Sequence, residues 1–310
     1  MRFINLLFLV LANLMWAAQY PAYKVASDHV GVASLNFWTL LLSLLIIAPF
    51  LIKQKLGGKR AARKTSRRDI WDFVLMGLVG IIPPSVFLAW GIARSSSANA
   101  AILSLTIPIL ITVMAVWFVG ERLTVIRVAS LVLALFGTVL ISANDLTGAS
   151  LQSRLLAGNF VVFLACAGSA FYNAYGKRLL LRFSELEVLV YGYLVAVPAC
   201  AIIAVWSGEH LLADMLHAPP SVWLSIGVLG GLSWGVAMIL WMWVLRRIDA
   251  SQASVSIYLL SVFGVILSAI TLHERLSMVQ LLGGSLVVLG TVLTSEYESR
   301  KLARSQQAIG

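Results

Sequence analysis

Ten stretches of roughly twenty predominantly apolar residues, separated by short polar connections, run along the chain at 3–23, 33–52, 73–93, 98–118, 125–143, 155–176, 188–207, 221–245, 252–272 and 277–295. A helix of that length spans the hydrocarbon core of a bilayer. Because lipid offers no hydrogen bonds, each span must satisfy its own backbone, and the alternating short strands of a barrel are not present. The pattern therefore predicts an all-α membrane protein with ten transmembrane helices. The first stretch follows Arg2 as a secretory leader would, but it continues through Trp16 and Tyr20, beyond the about 7–15 apolar residues of such a leader. It is expected to remain as a helix.

The sequence matches itself at a fixed offset of 153 residues. Glu121-Arg122-Leu123-Thr124 faces Glu274-Arg275-Leu276-Ser277, Gly137-Thr138-Val139-Leu140 faces Gly290-Thr291-Val292-Leu293, Lys24 pairs with Lys177, Gly77 with Gly230, Trp90 with Trp243, and Arg94 with Arg247. The expected units are a repeat at 3–143, a second at 155–295, and a cytoplasmic tail at 296–310. Five spans per half is an odd number, so the second half should enter the membrane from the opposite side. Inverted repeats are a common architecture of secondary transporters, in which a site near the midplane lies between two halves that rock or gate. A duplicated membrane scaffold without a pathway is the rival reading.

Composition narrows the class further. Of 310 residues 60% are apolar and 12% charged, against about 25% charged in a soluble domain, which excludes a soluble enzyme, a disordered chain and a secreted module. Placing the N-terminus in the cytoplasm puts 19 of the 23 Lys and Arg on the inner side, so both termini are expected there. The basic run from Lys53 to Arg68 lacks interleaved aromatics and is read as a topology determinant touching anionic lipid, with no role for nucleic acid. Cys166 and Cys200 lack metal-ligand spacing and are expected to be buried thiols, with no metal site and no disulfide framework. Gly231-Leu232-Ser233-Trp234-Gly235 has the spacing of a nucleophile elbow but sits inside an apolar span, and all four histidines lie at or beyond span ends. No Walker motif is present. The chain is read as a non-enzyme without a cofactor.

The segment from Trp16 to Lys24, Ala98-Asn99-Ala100-Ala101 leading to Pro108, Gly120-Glu121-Arg122-Leu123 and the echo His273-Glu274-Arg275-Leu276 resemble the drug/metabolite transporter superfamily in its ten-helix form built from two EamA repeats. The resemblance covers about residues 3–295. It implies export of amino acids or related metabolites across the bacterial inner membrane, and aromatic amino acid exporters of the YddG type are the members the chain looks most like. These motifs specify the superfamily better than the substrate.

Candidate pathway residues follow from helical spacing. Asn13, Trp16, Tyr20 and Lys24 share one face of the first span, and Cys166, Ser169, Asn173 and Lys177 are their repeat mates. Asn13 and Asn173 are costly against lipid and point either to a cavity or to a partner helix. Trp234, Met238 and Trp241 are expected beside a broad apolar tunnel, with Tyr258 and Ser261 from the ninth span and Pro108 from the fourth. Gly227, Gly231 and Gly235 form a four-residue ridge suited to close helix packing. Phe87 and Trp90 join Trp16 as deep aromatics able to stack on substrate. Lys24 and Lys177 either meet substrate carboxylates or snorkel into headgroups. Glu121 and Glu274 are helix-end ion pairs or gates.

No Asp or Glu falls mid-span, which favours facilitated diffusion over an ion-coupled relay. The functional expectation is an exporter of bulky apolar amino acids by alternating access through an uncharged cavity. Its partners are a small-molecule substrate and membrane lipid. Export of a cationic drug or nucleotide sugar, or a non-transporting receptor, are the alternatives.

Overall fold

The computed structural model describes residues 3–57, 66–119, 149–248 and 250–273, with isolated positions between 125 and 289. Every regular element among the described residues is helical. In chain order the longer ones are α1 (Phe3–Ser27), α2 (Val32–Leu56), α3 (Arg67–Arg94) and α4, a run of Ser97–Leu103, Ser104–Thr106 and Ile107–Val119. There follow α5 (Ala149–Leu180), α6 (Glu185–Trp206), α7 (Pro220–Arg247) and α8, the run of Ala250–Val255 and Ile257–Leu272. Six of them, α1–α3 and α5–α7, are long and apolar enough to cross a membrane. Apart from those isolated positions, the predicted spans at 125–143 and 277–295 lie outside the described residues, as do the tail, Glu121 and Glu274.

Local sequence fixes several starts. Ser66 with Asp69 and Ser184 with Glu187 close reciprocal capping boxes at the N-termini of α3 and α6, satisfying amides that the helix cannot. Gly31 precedes α2 without a side chain to cap it. The Glu209 carboxylate, from the α6–α7 connection, instead accepts from the amides of Ser34 at 2.7 Å and Ala33 at 3.4 Å. A Cβ at Gly31 would fall 2.2 Å from that carboxyl carbon, so a side chain there would push the carboxylate from its present position.

The 153-residue offset recurs in three dimensions. α2 and α6 begin at Val32 and Glu185, and α3 and α7 run over Arg67–Arg94 and Pro220–Arg247. Both α3 and α7 widen into π-helix, at Met76–Ile81 and Gly227–Val236. Arg94 lies over the Trp90 ring and Arg247 over the Trp243 ring, each 3.5 Å from the centroid. The contacts are also exchanged between halves. Gly77 of α3 meets Val195 and the Gly192 carbonyl of α6, while Gly230 of α7 meets Leu42 and the Thr39 carbonyl of α2.

The expected Gly227, Gly231 and Gly235 ridge is corrected by this arrangement. A Cβ at Gly227 or Gly231 would meet open space, and one at Gly235 would meet the carbonyl of Gly230 on its own helix. The π turn closes i→i+5 bonds and so rotates the packing face, which leaves Gly230 against α2.

α1 and α7 run antiparallel. Phe8 packs on Trp243, Trp16 on Trp241, and the Trp234 indole donates to the Tyr23 hydroxyl. One end of the bundle carries a charged cluster, in which Arg182 pairs with Asp69 at 3.0 Å and with Asp72, and Arg246 pairs with Glu185 at 2.9 Å. At the opposite end, Arg94 and Glu209 border a polar cavity of about 480 Å³.

Candidate functional site

A cavity of about 70 Å³ lies at the centre of the bundle, walled by α1, α3, α4, α5, α7 and α8. That is room for a few waters. Trp16, Trp234 and Met238 supply broad apolar walls, joined by Pro84 and Leu88 of α3 and by Ile257 and Leu260 of α8. No Asp, Glu, Lys, Arg or His lines it among the described residues.

Six of the residues chosen from sequence meet on this lining: Trp16, Tyr20, Ser169, Asn173, Trp234 and Met238. Most of their polar groups are already engaged. The Tyr20 hydroxyl donates to Ser104 Oγ at 2.6 Å. The Trp16 indole donates to the Ser233 carbonyl at 3.0 Å, and Ser233 in turn donates to the Met15 carbonyl at 2.8 Å, so α1 and α7 are bonded twice across the wall. Asn173 donates to the Ser169 carbonyl at 2.8 Å and accepts from the Trp241 indole at 2.7 Å.

The other candidates sit elsewhere. Trp241 is fully buried behind Trp16, ring centroids 5.0 Å apart, and reaches the cavity only through that ring and its bond to Asn173. Asn13 donates to the Leu9 carbonyl and to Ser256 Oγ, and so ties α1 to α8. Phe87 is exposed on the outer surface, and Trp90 borders the polar end cavity with Arg94. Pro108 lies off the lining, beside the 3-10 turn Ser104–Thr106. Its ring cannot donate to the backbone ladder, and that turn brings Ser104 to the cavity. Tyr258 is half-buried and off the lining, and the Ser261 side chain is outside those described.

The ammonium groups of Lys24 and Lys177 are held by backbone carbonyls. Each caps the carboxyl end of a helix: Lys24 donates to the Ser95 carbonyl at the end of α3, and Lys177 to the Leu245 and Ile248 carbonyls at the end of α7. Ends of helices carry unpaired carbonyls and partial negative charge, which an ammonium satisfies. Cys166 and Cys200 are free buried thiols, and Cys166 lies on the cavity lining.

Sequence spacing missed Gln19, Gly80, Ser104 and Tyr172 on the lining. Tyr172 stands one residue before Asn173, and its repeat mate is Gln19, so the offset that exposed the other pairs also marks this one.

The EamA-like transporter family matches residues 3–143 and again 156–296. The chain belongs to this family. The EamA protein is 28% identical over 308 residues, 97% of its own length and 95% of the relative's, to a probable terminal-alkyne amino-acid exporter of Streptantibioticus cattleyicolor. It is 24% identical to the uncharacterized transporter YoaV of Bacillus subtilis, covering 94% and 97% of the two chains. A crystal structure 21% identical in sequence shares the fold at a TM-score of 0.67 over 97% of this chain and 98% of that one. The protein is thus a transporter of the EamA type, spanning the membrane several times.

Proposed function

We propose that this EamA protein exports amino acids, aromatic or bulky apolar ones among them, across the bacterial inner membrane. In this reading two inverted five-span repeats alternate access to the central cavity, both termini are cytoplasmic, and the substrate gradient is the driving force. The observation that carries it is the cavity itself, enclosed by side chains of both halves and free of formal charge among the described residues. A net charge transferred there would be costly without a partner, whereas a zwitterion is neutral overall and its two ends can be met by neutral dipoles. The exchanged contacts at Gly77 and Gly230 and the antiparallel course of α1 and α7 support a pseudo-twofold relation between halves. Similarity to a probable amino-acid exporter supports the substrate class.

Purified protein in liposomes, loaded with radiolabelled phenylalanine, threonine, a dicationic drug or a nucleotide sugar, tests the reading. Amino acid flux is expected without a pH gradient or potential. Flux of the drug or the nucleotide sugar alone overturns the substrate, flux only with protons overturns the facilitative mechanism, and no flux of any solute favours a non-transporting scaffold.

A further inference from the structure

Tyr172 carries a buried polar atom that no described residue satisfies. It is 4% exposed and lines the central cavity, and its hydroxyl, itself buried, meets no hydrogen-bond partner among the described residues. Its neighbours differ: the donor of Tyr20 is spent on Ser104, that of Trp16 on Ser233, and the Asn173 carboxamide is held at both ends by Ser169 and Trp241. A buried hydroxyl without a partner is costly, and native structures keep few of them. The cost is recovered when a bound molecule brings an acceptor.

We propose that Tyr172 is a specificity-determining residue that donates to the carboxylate of the transported amino acid. This deepens the amino acid reading above and rests on it. The donor is neutral, so it recognises the carboxylate without fixing a net charge in the cavity. Ser169, three residues earlier on the same face of α5, and Gln19 of α1 add neutral dipoles to the lining for the rest of the polar head. Trp16, Trp234 and Met238 receive the side chain, and a Met-containing wall tolerates several shapes. Recognition therefore centres on the amino acid head group and only loosely on the side chain.

The test is equilibrium binding to purified protein in detergent, read by tryptophan fluorescence and confirmed by calorimetry, with phenylalanine, 3-phenylpropionate and phenethylamine as probes. Tyr172→Phe removes only the oxygen. The variant is expected to melt no lower than the wild type and to bind phenylalanine and 3-phenylpropionate about 10- to 100-fold more weakly, the range for a hydrogen bond to a charged acceptor. Its affinity for phenethylamine, which lacks the carboxylate, should be unchanged. Phenylalanine affinity within twofold of wild type, equal weakening for all three probes, or a lower melting temperature each overturns the assignment. Wild-type protein that binds no amino acid removes the functional reading as well, which separates the two failures.

Discussion

The Lys177 ammonium donates to the Ile248 carbonyl at 2.8 Å, and 153 residues earlier in both partners Lys24 donates to the Ser95 carbonyl at 3.4 Å. Lys177 holds a second carbonyl, that of Leu245, at 2.6 Å. Replacing it by methionine keeps the apolar stem and leaves the end of α7 without its cation. Lys177→Met should lower stability by about 2 kcal/mol and Lys24→Met by less than about 1 kcal/mol, given one long bond against two short ones. Melting in a single detergent ranks the two variants, and equal losses would refute the ranking.

Gly230 and Gly231 are adjacent and should respond oppositely to alanine. A Cβ on Gly230 would lie 2.7 Å from the Thr39 carbonyl oxygen, a backbone atom that cannot rotate away, while one on Gly231 meets open space. Gly230→Ala is expected to cost about 1–3 kcal/mol as overpacking, and Gly231→Ala to be neutral or stabilising by up to about 1 kcal/mol through helix propensity. The folded fraction after heating, read by size-exclusion chromatography, checks both. Loss at Gly231 alone would mean that the π register places a different face against α2.

These glycines also show where sequence reading stops. The apolar runs and the offset lay open in the chain because bilayer thickness and duplication both act on residue number, and α3 and α7 keep that offset at both ends. The packing face was hidden because a π turn changes the angular count between residues without marking the sequence. Asn13, Trp241 and the two lysines look in sequence like Asn173 and Trp16. What separates them is which backbone group a neighbouring helix brings within reach, and no local spacing records it. Tyr172 was hidden because a buried hydroxyl without a partner among the described residues is a property of the surrounding helices, which local spacing does not record.

Asn173 joins the cavity to the layer behind it. Asn173→Ala strands the Trp241 indole N–H at a fully buried site, so a loss of about 1–3 kcal/mol is expected. Trp241→Phe removes the donor and much of the ring that backs Trp16. Because the two residues share one bond, the double variant should lose less than the sum of the single ones, as coupled sites do. A double-mutant cycle on thermal stability gives the coupling directly, and strict additivity would contradict the bond.

Arg182 crosses from the second repeat to the first, bridging Asp69 and Asp72 at the start of α3, with the Tyr175 hydroxyl also on Asp72 at 2.5 Å. The repeat mates of the three charged residues are His29, Val222 and Ser225, so the repeat does not carry these charges to the opposite end. Asp69 is fully buried, and losing its cation is expensive even though the guanidinium is partly exposed. Arg182→Gln is expected to cost about 2 kcal/mol, below the 3–5 kcal/mol of a fully buried pair. If the clasp keeps its end of the cavity closed, the variant should also open the cavity more often. Cys166, a free thiol on the lining, reports on that opening in a Cys200→Ala background. A membrane-impermeant maleimide added at the clasp side should label Cys166 several-fold faster in Arg182→Gln than in the parent, and an unchanged rate would limit Arg182 to stability.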